Sequence, residues 1–176
     1  MLGKIEQKDM FEIIREERQN IFVETGTQNG NGVRWAMNYF DEIFSIEILQ
    51  GLHDKCKKEF KLNENINLYL GNSAVELPKI LSGLNEPIFF WLDAHGNSNP
   101  LLKELEIIKE YSVKNNVIVI DDVRLMGGDS APDWKKITKD LVISKLSEIN
   151  PEFIILEYND TIVSGLKEDL FVKDFK

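Results

Sequence analysis

Short apolar runs and longer amphipathic stretches alternate along most of the chain. Five runs have strand length: Ile21-Phe22-Val23, Ile43-Phe44-Ser45-Ile46, Ile66-Asn67-Leu68-Tyr69-Leu70, Ile88-Phe89-Phe90-Trp91-Leu92 and Val117-Ile118-Val119-Ile120. Helical spacing lies between them in Val33, Met37 and Phe40, in Leu52, Cys56 and Phe60, and in Leu101, Leu105 and Ile108. Such alternation predicts an α/β fold: a mostly parallel sheet with helices on both faces. An amphipathic helix is expected ahead of the first strand, from Ile5 to Gln19, with Met10, Phe11 and Ile14 as its apolar stripe.

Turn and cap residues punctuate this pattern. Asn99-Pro100 predicts a helix start, because Asn caps well and Pro suits the first helical position. Ser73-Ala74-Val75-Glu76 has the form of a capping box, with a start at Pro78 as the alternative. The pattern loosens through Met126-Gly127-Gly128-Asp129-Ser130-Ala131-Pro132, and a helix is expected from about Thr138 to Ile149. Phe153 to Tyr158 and Thr161 to Ser164 flank Asn159-Asp160, a tight hairpin turn, so the sheet is expected to end in an antiparallel strand. No repeat, low-complexity tract or linker composition interrupts the chain. One domain over residues 1–176 is expected, an N-terminal helix over 1–20 followed by the core over 21–176.

Composition narrows the partners. A chain of 176 residues that is 43% hydrophobic can bury a sizeable core. Its net charge of -9 and pI near 4.8 argue against a non-specific nucleic-acid binder, because a polyanion would be repelled. Cys56 alone makes no internal disulfide, and no N-terminal apolar segment precedes a cleavage site, so the cytoplasm is the expected compartment. No apolar run approaches the roughly 20 residues of a membrane span.

Candidate chemistry begins where the first apolar run meets glycine. Ile21 to Val33 places Glu24, Gly26, Thr27, Gly30 and Gly32 between a strand and a helix. Glycine permits positive φ and lets a ligand approach bare backbone, so a nucleotide cofactor is expected at this strand end. The alternative is a turn that only tightens the chain. Glu47 follows the second strand about twenty residues later, where a carboxylate can accept the hydrogen bonds of a ribose diol. The dinucleotide fingerprint G-x-G-x-x-G is not met, since Gln28 occupies its second glycine position.

With these residues in place, the sequence resembles the class I S-adenosylmethionine-dependent methyltransferases over essentially its whole length. "VETGTQNGNG" is similar to their first motif, "SIEI" to their second-strand acid, and "LGNSAVELPKIL" to their third strand and adenine-side turn. The three residues between the first two glycines resemble the metal-dependent catechol-type and macrolide-sugar O-methyltransferases. The resemblance implies a Rossmann-like methyltransferase fold, S-adenosylmethionine as cofactor, and adenine near Asn72 and Ser73. It implies Glu24 as a residue that fixes the donor's amino group or the loop.

Candidate metal-binding acids stand at the next two strand ends. Leu92-Asp93-Ala94-His95 and Ile120-Asp121-Asp122-Val123-Arg124 place three carboxylates at adjacent strand ends, where a hard cation would relieve their repulsion. The resemblance implies Asp93, Asp121 and Asp122 as ligands of Mg²⁺ or a similar divalent cation, Asp93 also serving the cofactor and catalysis, and His95 in the position of a catalytic base. Asp121 and Asp122 could instead cap a helix or pair with Arg124, and His95 could be a hydrogen-bonded structural residue. Zinc is a poor alternative, because His53, His95 and Cys56 are the only nitrogen and sulfur ligands of its kind. A Lys base and an Asn at position 122 would be expected of a catechol enzyme, and neither is found. Trp134 could wall a substrate pocket or pack in the core.

The expected function is therefore Mg²⁺-dependent O-methylation of a hydroxyl on a sugar or small metabolite. An NAD(P)-binding oxidoreductase, a metal-independent methyltransferase and a non-enzymatic domain stand as rivals.

Overall fold

The computed structural model of the protein describes residues 19–95, 99–129, 131–158 and 160–170. Five parallel strands carry the apolar runs: β1 (Ile21–Thr25), β2 (Glu42–Glu47), β3 (Ile66–Leu70), β4 (Ile88–Leu92) and β5 (Val117–Ile120). The hairpin of β6 (Ile154–Tyr158) and β7 (Thr161–Gly165) completes a sheet of order β3-β2-β1-β4-β5-β7-β6. β7 runs antiparallel to both its neighbours. Because Tyr158 pairs with Thr161, the connection is the two-residue turn that Asn159-Asp160 predicted, although Asn159 lies outside the described residues. The helix expected over residues 5–19 lies outside them too, apart from Gln19.

The sheet is buried on both sides, which is why its central strands read as unbroken apolar runs rather than alternating ones. Val23, Ile46, Phe90, Leu92, Ile118 and Ile120 face the layer formed by α3 (Ser73–Leu81), α4 (Leu101–Glu110) and α5 (Lys139–Ile149). Phe22, Ile43, Phe89, Trp91, Val117 and Val119 face α1 (Asn31–Ala36) and α2 (Gln50–Glu59). On this second side Phe22 stacks on Phe89 with ring centroids 5.8 Å apart, and Trp35 meets both. Side chains of period 2 thus sort into two separate cores.

Three local expectations change in detail. Met37 does not extend the apolar face of α1, because the helix ends at Ala36 and Met37 is 39% exposed. Asn72 rather than Ser73 caps α3, its Oδ1 accepting the Ala74 N–H at 2.9 Å, and Pro78 sits inside the helix instead of opening it. Asn99 accepts the Leu101 N–H at 2.9 Å, so the cap role is as expected but α4 starts one residue after Pro100. Thr138 caps α5 through a hydrogen bond from the Leu141 N–H. No described helix is long and apolar enough to cross a membrane.

Candidate active site

The chain leaves β1, moves outward to β2 and β3, then returns to β4 on the other side of β1, which makes the β1/β4 boundary the switch in strand order. Open α/β sheets bind ligands outside the carboxyl ends of strands at this point. A cavity of about 490 Å³ lies there, and Gly26, Glu47, Asn72, Ser73, Asp93 and His95 are among its walls.

The turn after β1 is tied to both neighbouring strands. The Gly26 and Thr27 N–H groups donate to the Ile46 carbonyl of β2, and the Asp93 N–H donates to the Thr25 carbonyl. Gly26 has φ +91°, and a Cβ there would stand 2.6 Å from the Asp93 carbonyl oxygen. The glycine is required because the β4 arm passes directly against it.

Gly30 has a different reason from the one the sequence suggested. Its φ is +77°, and a Cβ would meet the Phe60 ring and the Cys56 sulfur of the α2 side rather than the cavity. A Cβ on Gly32 would strike the Glu24 carboxylate. These two glycines let α1 and α2 pack around the turn, and neither lines the cavity. Glu24 and Thr27 also stand behind the wall. Ser45 Oγ donates to Glu24 at 2.5 Å, and the Thr27 and Ser45 hydroxyls are 2.6 Å apart, a buried chain linking β1 to β2. Burial lifts the Glu24 pKa from 4.5 to about 8, against the Ser45 hydrogen bond that lowers it. Glu24 therefore carries a proton near neutrality.

Glu47 does reach the cavity. Its Oε2 accepts the Gln28 N–H at 2.7 Å and its Oε1 accepts the Leu49 N–H at 2.8 Å. Each oxygen keeps a second lone pair, so a diol can still be bound while the backbone holds the carboxylate in place. Beside it, Ile48 and Leu49 are 61% and 59% exposed, an apolar ledge at the cavity. The sequence analysis missed these two residues. Two aliphatic side chains placed immediately after a strand-end acid were the available signal. Gln28, with φ +49°, was noticed only as a missing glycine, yet its N–H positions Glu47.

At the ends of β4 and β5 the acids form two overlapping groups. Asp93, His95 and Asp122 offer donor atoms within 4.8 Å of one another, and so do Asp121, Asp122 and Asp160. The three expected carboxylates are thus split, Asp122 being common to both groups. Asp160 comes from the β6–β7 turn, where its sequence context indicated only a hairpin. His95 Nε2 lies 2.9 Å from Asp122 Oδ2 and 3.9 Å from Asp93 Oδ1. Arg124 Nη1 pairs with Asp122 Oδ1 and with Asp160, whose Oδ1 also accepts the Arg124 N–H. The pairing with Arg124, one of the two alternatives for this acid pair, is therefore present. Asp122 has φ +59° at the start of a 3-10 turn over Val123–Leu125, which bends its carboxylate back toward His95.

Burial lifts the Asp93 pKa to about 8, with the charges of Asp121 and Asp122 adding to the rise. Asp121 is raised as well, chiefly by burial. Carboxylates held together at this cost have the chemistry of a hard-cation site, and the oxygen-rich donor set fits a divalent cation. Trp134 is buried with its ring 6.1 Å from that of His95, so it packs in the core while flanking the site.

Comparison with known proteins places the architecture. No protein-family model and no curated protein matches the chain. Among solved structures, the Bacillus cereus O-methyltransferase in complex with SAH superposes with TM-score 0.66 at 19% identity, over 84% of this chain and 74% of that one. The fold is that of the class I methyltransferases. The SAH-bound Podospora anserina methyltransferase PaMTH1 gives TM-score 0.59 at 16% identity, over 84% and 72% of the two chains. MycE of the mycinamycin biosynthetic pathway, in complex with Mg and SAH, gives 0.64 at 13% identity, and 46% of its length is covered by 86% of this chain. The antiparallel β7 inserted between β5 and β6 agrees with this fold and departs from a plain dinucleotide domain.

Proposed function

We propose that the protein transfers a methyl group from S-adenosylmethionine to a hydroxyl of a sugar or small metabolite. The observation that carries this reading is the cavity at the β1/β4 switch point, which joins a diol acceptor, Glu47, to an acidic group, Asp93, His95 and Asp122. Glu47 would hold the ribose, Ile48 and Leu49 the flat adenine, and Asn72 and Ser73 its edge. Asp93 would face the methionine end. The cofactor, when bound, supplies an electrophilic methyl on a sulfonium sulfur.

The residues of the chain then have to position the acceptor and take its proton. Asp122 holds Nε2 of His95, which leaves Nδ1 to accept the hydroxyl proton, in the way a carboxylate orients an imidazole base elsewhere. Asp93 and Asp122, or Asp121, Asp122 and Asp160, would hold Mg²⁺ with His95 left free as the base, and the ion would supply acidification of a coordinated hydroxyl. That MycE is described with Mg and SAH supports looking for the ion here.

A second reading, metal-independent transfer, is favoured by Arg124, which already provides Asp122 and Asp160 with a counter-charge, and by His95, whose Nε2 already lies 2.9 Å from Asp122 Oδ2. Transfer of a radiolabelled methyl group to a panel of hydroxyl acceptors, with Mg²⁺ and with EDTA, separates the readings. Activity that EDTA abolishes and Mg²⁺ restores supports the first; activity unchanged by EDTA selects the second. No transfer, with turnover of a nicotinamide cofactor instead, would overturn both.

A further inference from the structure

One buried acid has no part in the chemistry above. Glu104 is in the first turn of α4 and has no exposed surface. Its carboxylate oxygens have no hydrogen bond of good geometry among the described residues, and only the Ser73 and Thr25 hydroxyls come near enough to favour the charged form. The hydroxyls of Thr25 and Ser73 are its polar neighbours, and Thr25 Oγ1 is itself buried without a hydrogen bond. Asn99 Nδ2, just before the same helix, is another buried polar atom without one.

Among the described residues, no cation forms an ion pair with Glu104. Lys103 and Lys109 of α4 pair with Glu106 and Glu148 at the surface. Of the helices packed against α4, Lys79 of α3 pairs with Glu76 and Lys145 of α5 with Glu148. An isolated buried carboxylate costs stability, and a residue that breaks a local rule in this way tends to stand at a functional site.

Its place in the fold says which ligand. Ser73 and Pro100 line the cofactor cavity, and the Glu104 N–H donates to the Pro100 carbonyl at 2.9 Å. Asp93, on the same cavity wall, is close enough to be affected by the Glu104 charge. Thr25 ends β1, directly before the glycine turn. The carboxylate thus lies behind the wall of the cavity with no exposed surface, where a charge acts more strongly than at the surface.

We propose that Glu104 is a positioning residue for the methyl donor, a buried counter-charge that favours the cationic sulfonium over the neutral thioether product. This rests on the proposed function, because it presumes that the cavity binds S-adenosylmethionine. The donor carries one positive charge at sulfur that S-adenosylhomocysteine lacks, and the two are otherwise nearly the same ligand. A counter-charge at this place tightens donor binding and releases product once the methyl group has gone. Burial lifts the Glu104 pKa to about 7, so the group is ionised in mildly alkaline solution, with the Ser73 and Thr25 hydroxyls favouring the charged form.

The test is calorimetric titration of wild type and Glu104→Gln with S-adenosylmethionine and separately with S-adenosylhomocysteine, at about pH 8.5, where the carboxylate is ionised. Loss of a unit charge behind the wall of the donor site should weaken donor binding about tenfold and product binding less than about twofold. Thermal unfolding without ligand should be unchanged or raised, since a buried unpaired charge has been removed. Glu104→Asp, which keeps the charge, should restore the preference for donor over product. Equal weakening of both ligands, a lowered melting temperature or failure of Glu104→Gln to fold would make Glu104 structural and overturn the proposal. An unchanged preference in a folded variant would overturn it while leaving the proposed function intact. Wild type that binds neither ligand would overturn both.

Discussion

Gly26→Ala tests how the cofactor turn and the catalytic arm depend on one another. The methyl group would be held at φ +91°, a conformation that costs a non-glycine residue about 1–2 kcal/mol. It would also stand 2.6 Å from the Asp93 carbonyl oxygen and 3.0 Å from its carbon, both backbone atoms with no rotamer to escape into. Relief requires the β4 arm to move, and overpacking of this kind costs about 1–3 kcal/mol. The combined loss of about 3 kcal/mol corresponds to a fall in melting temperature of roughly 6–12 °C for a chain of this size. Because Asp93 is the residue displaced, affinity for S-adenosylmethionine should fall in parallel. Differential scanning calorimetry and ligand titration on the same preparation measure the two effects. A variant melting within about 2 °C of wild type, with unchanged affinity, would refute the contact and the coupling drawn from it.

Three other outcomes follow from the same geometry. Glu24 has its folded pKa raised by burial from 4.5 to about 8, so its contribution to stability is fully present below about 4.5 and is lost as pH rises toward about 8. Glu24→Gln should therefore gain on wild type by about 2 kcal/mol between pH 5 and 7 in urea unfolding, and parallel pH profiles would contradict the assignment. His95→Ala should reduce turnover by about 10²–10⁴-fold with cofactor affinity unchanged, and retained turnover with lowered thermal stability would make His95 structural. Asp93→Asn should weaken Mg²⁺ binding, measured by titration, while metal-free protein is no less stable because like-charge repulsion is relieved; unchanged Mg²⁺ affinity would remove Asp93 from any ion site.

The sheet was legible because burial on both faces turns each central strand into an apolar run, as in Ile88 to Leu92, while amphipathic spacing between runs forces the crossovers. Glu47, Asn72, Ser73 and Asp93 could be placed from the strand ends they follow. The reasons for individual residues were harder to read. Gly30 was expected to clear a path for ligand, but its neighbours Phe60 and Cys56 come from a helix more than twenty residues away, which local spacing cannot reveal. Asp160 belonged to a turn signal, and only the antiparallel return of β7 beside β5 brings it to Asp121 and Asp122. Glu104 did carry a signal in the sequence: it falls on the apolar face of α4, three residues after Leu101 and next to Leu105, where an acid is out of place. Met37 shows the reverse error, an apolar residue at helical spacing that the short α1 leaves exposed.

The central claim is that the cavity between Gly26, Glu47, Ser73 and Asp93 is a site for S-adenosylmethionine, and equilibrium titration of the wild-type protein with this compound tests it most directly. The account predicts saturable one-to-one binding with a dissociation constant in roughly the micromolar range. It also predicts at least about a tenfold loss of affinity in Glu47→Ala, whose carboxylate would no longer receive the ribose hydroxyls. Absence of saturable binding, or equal binding by Glu47→Ala, would contradict it.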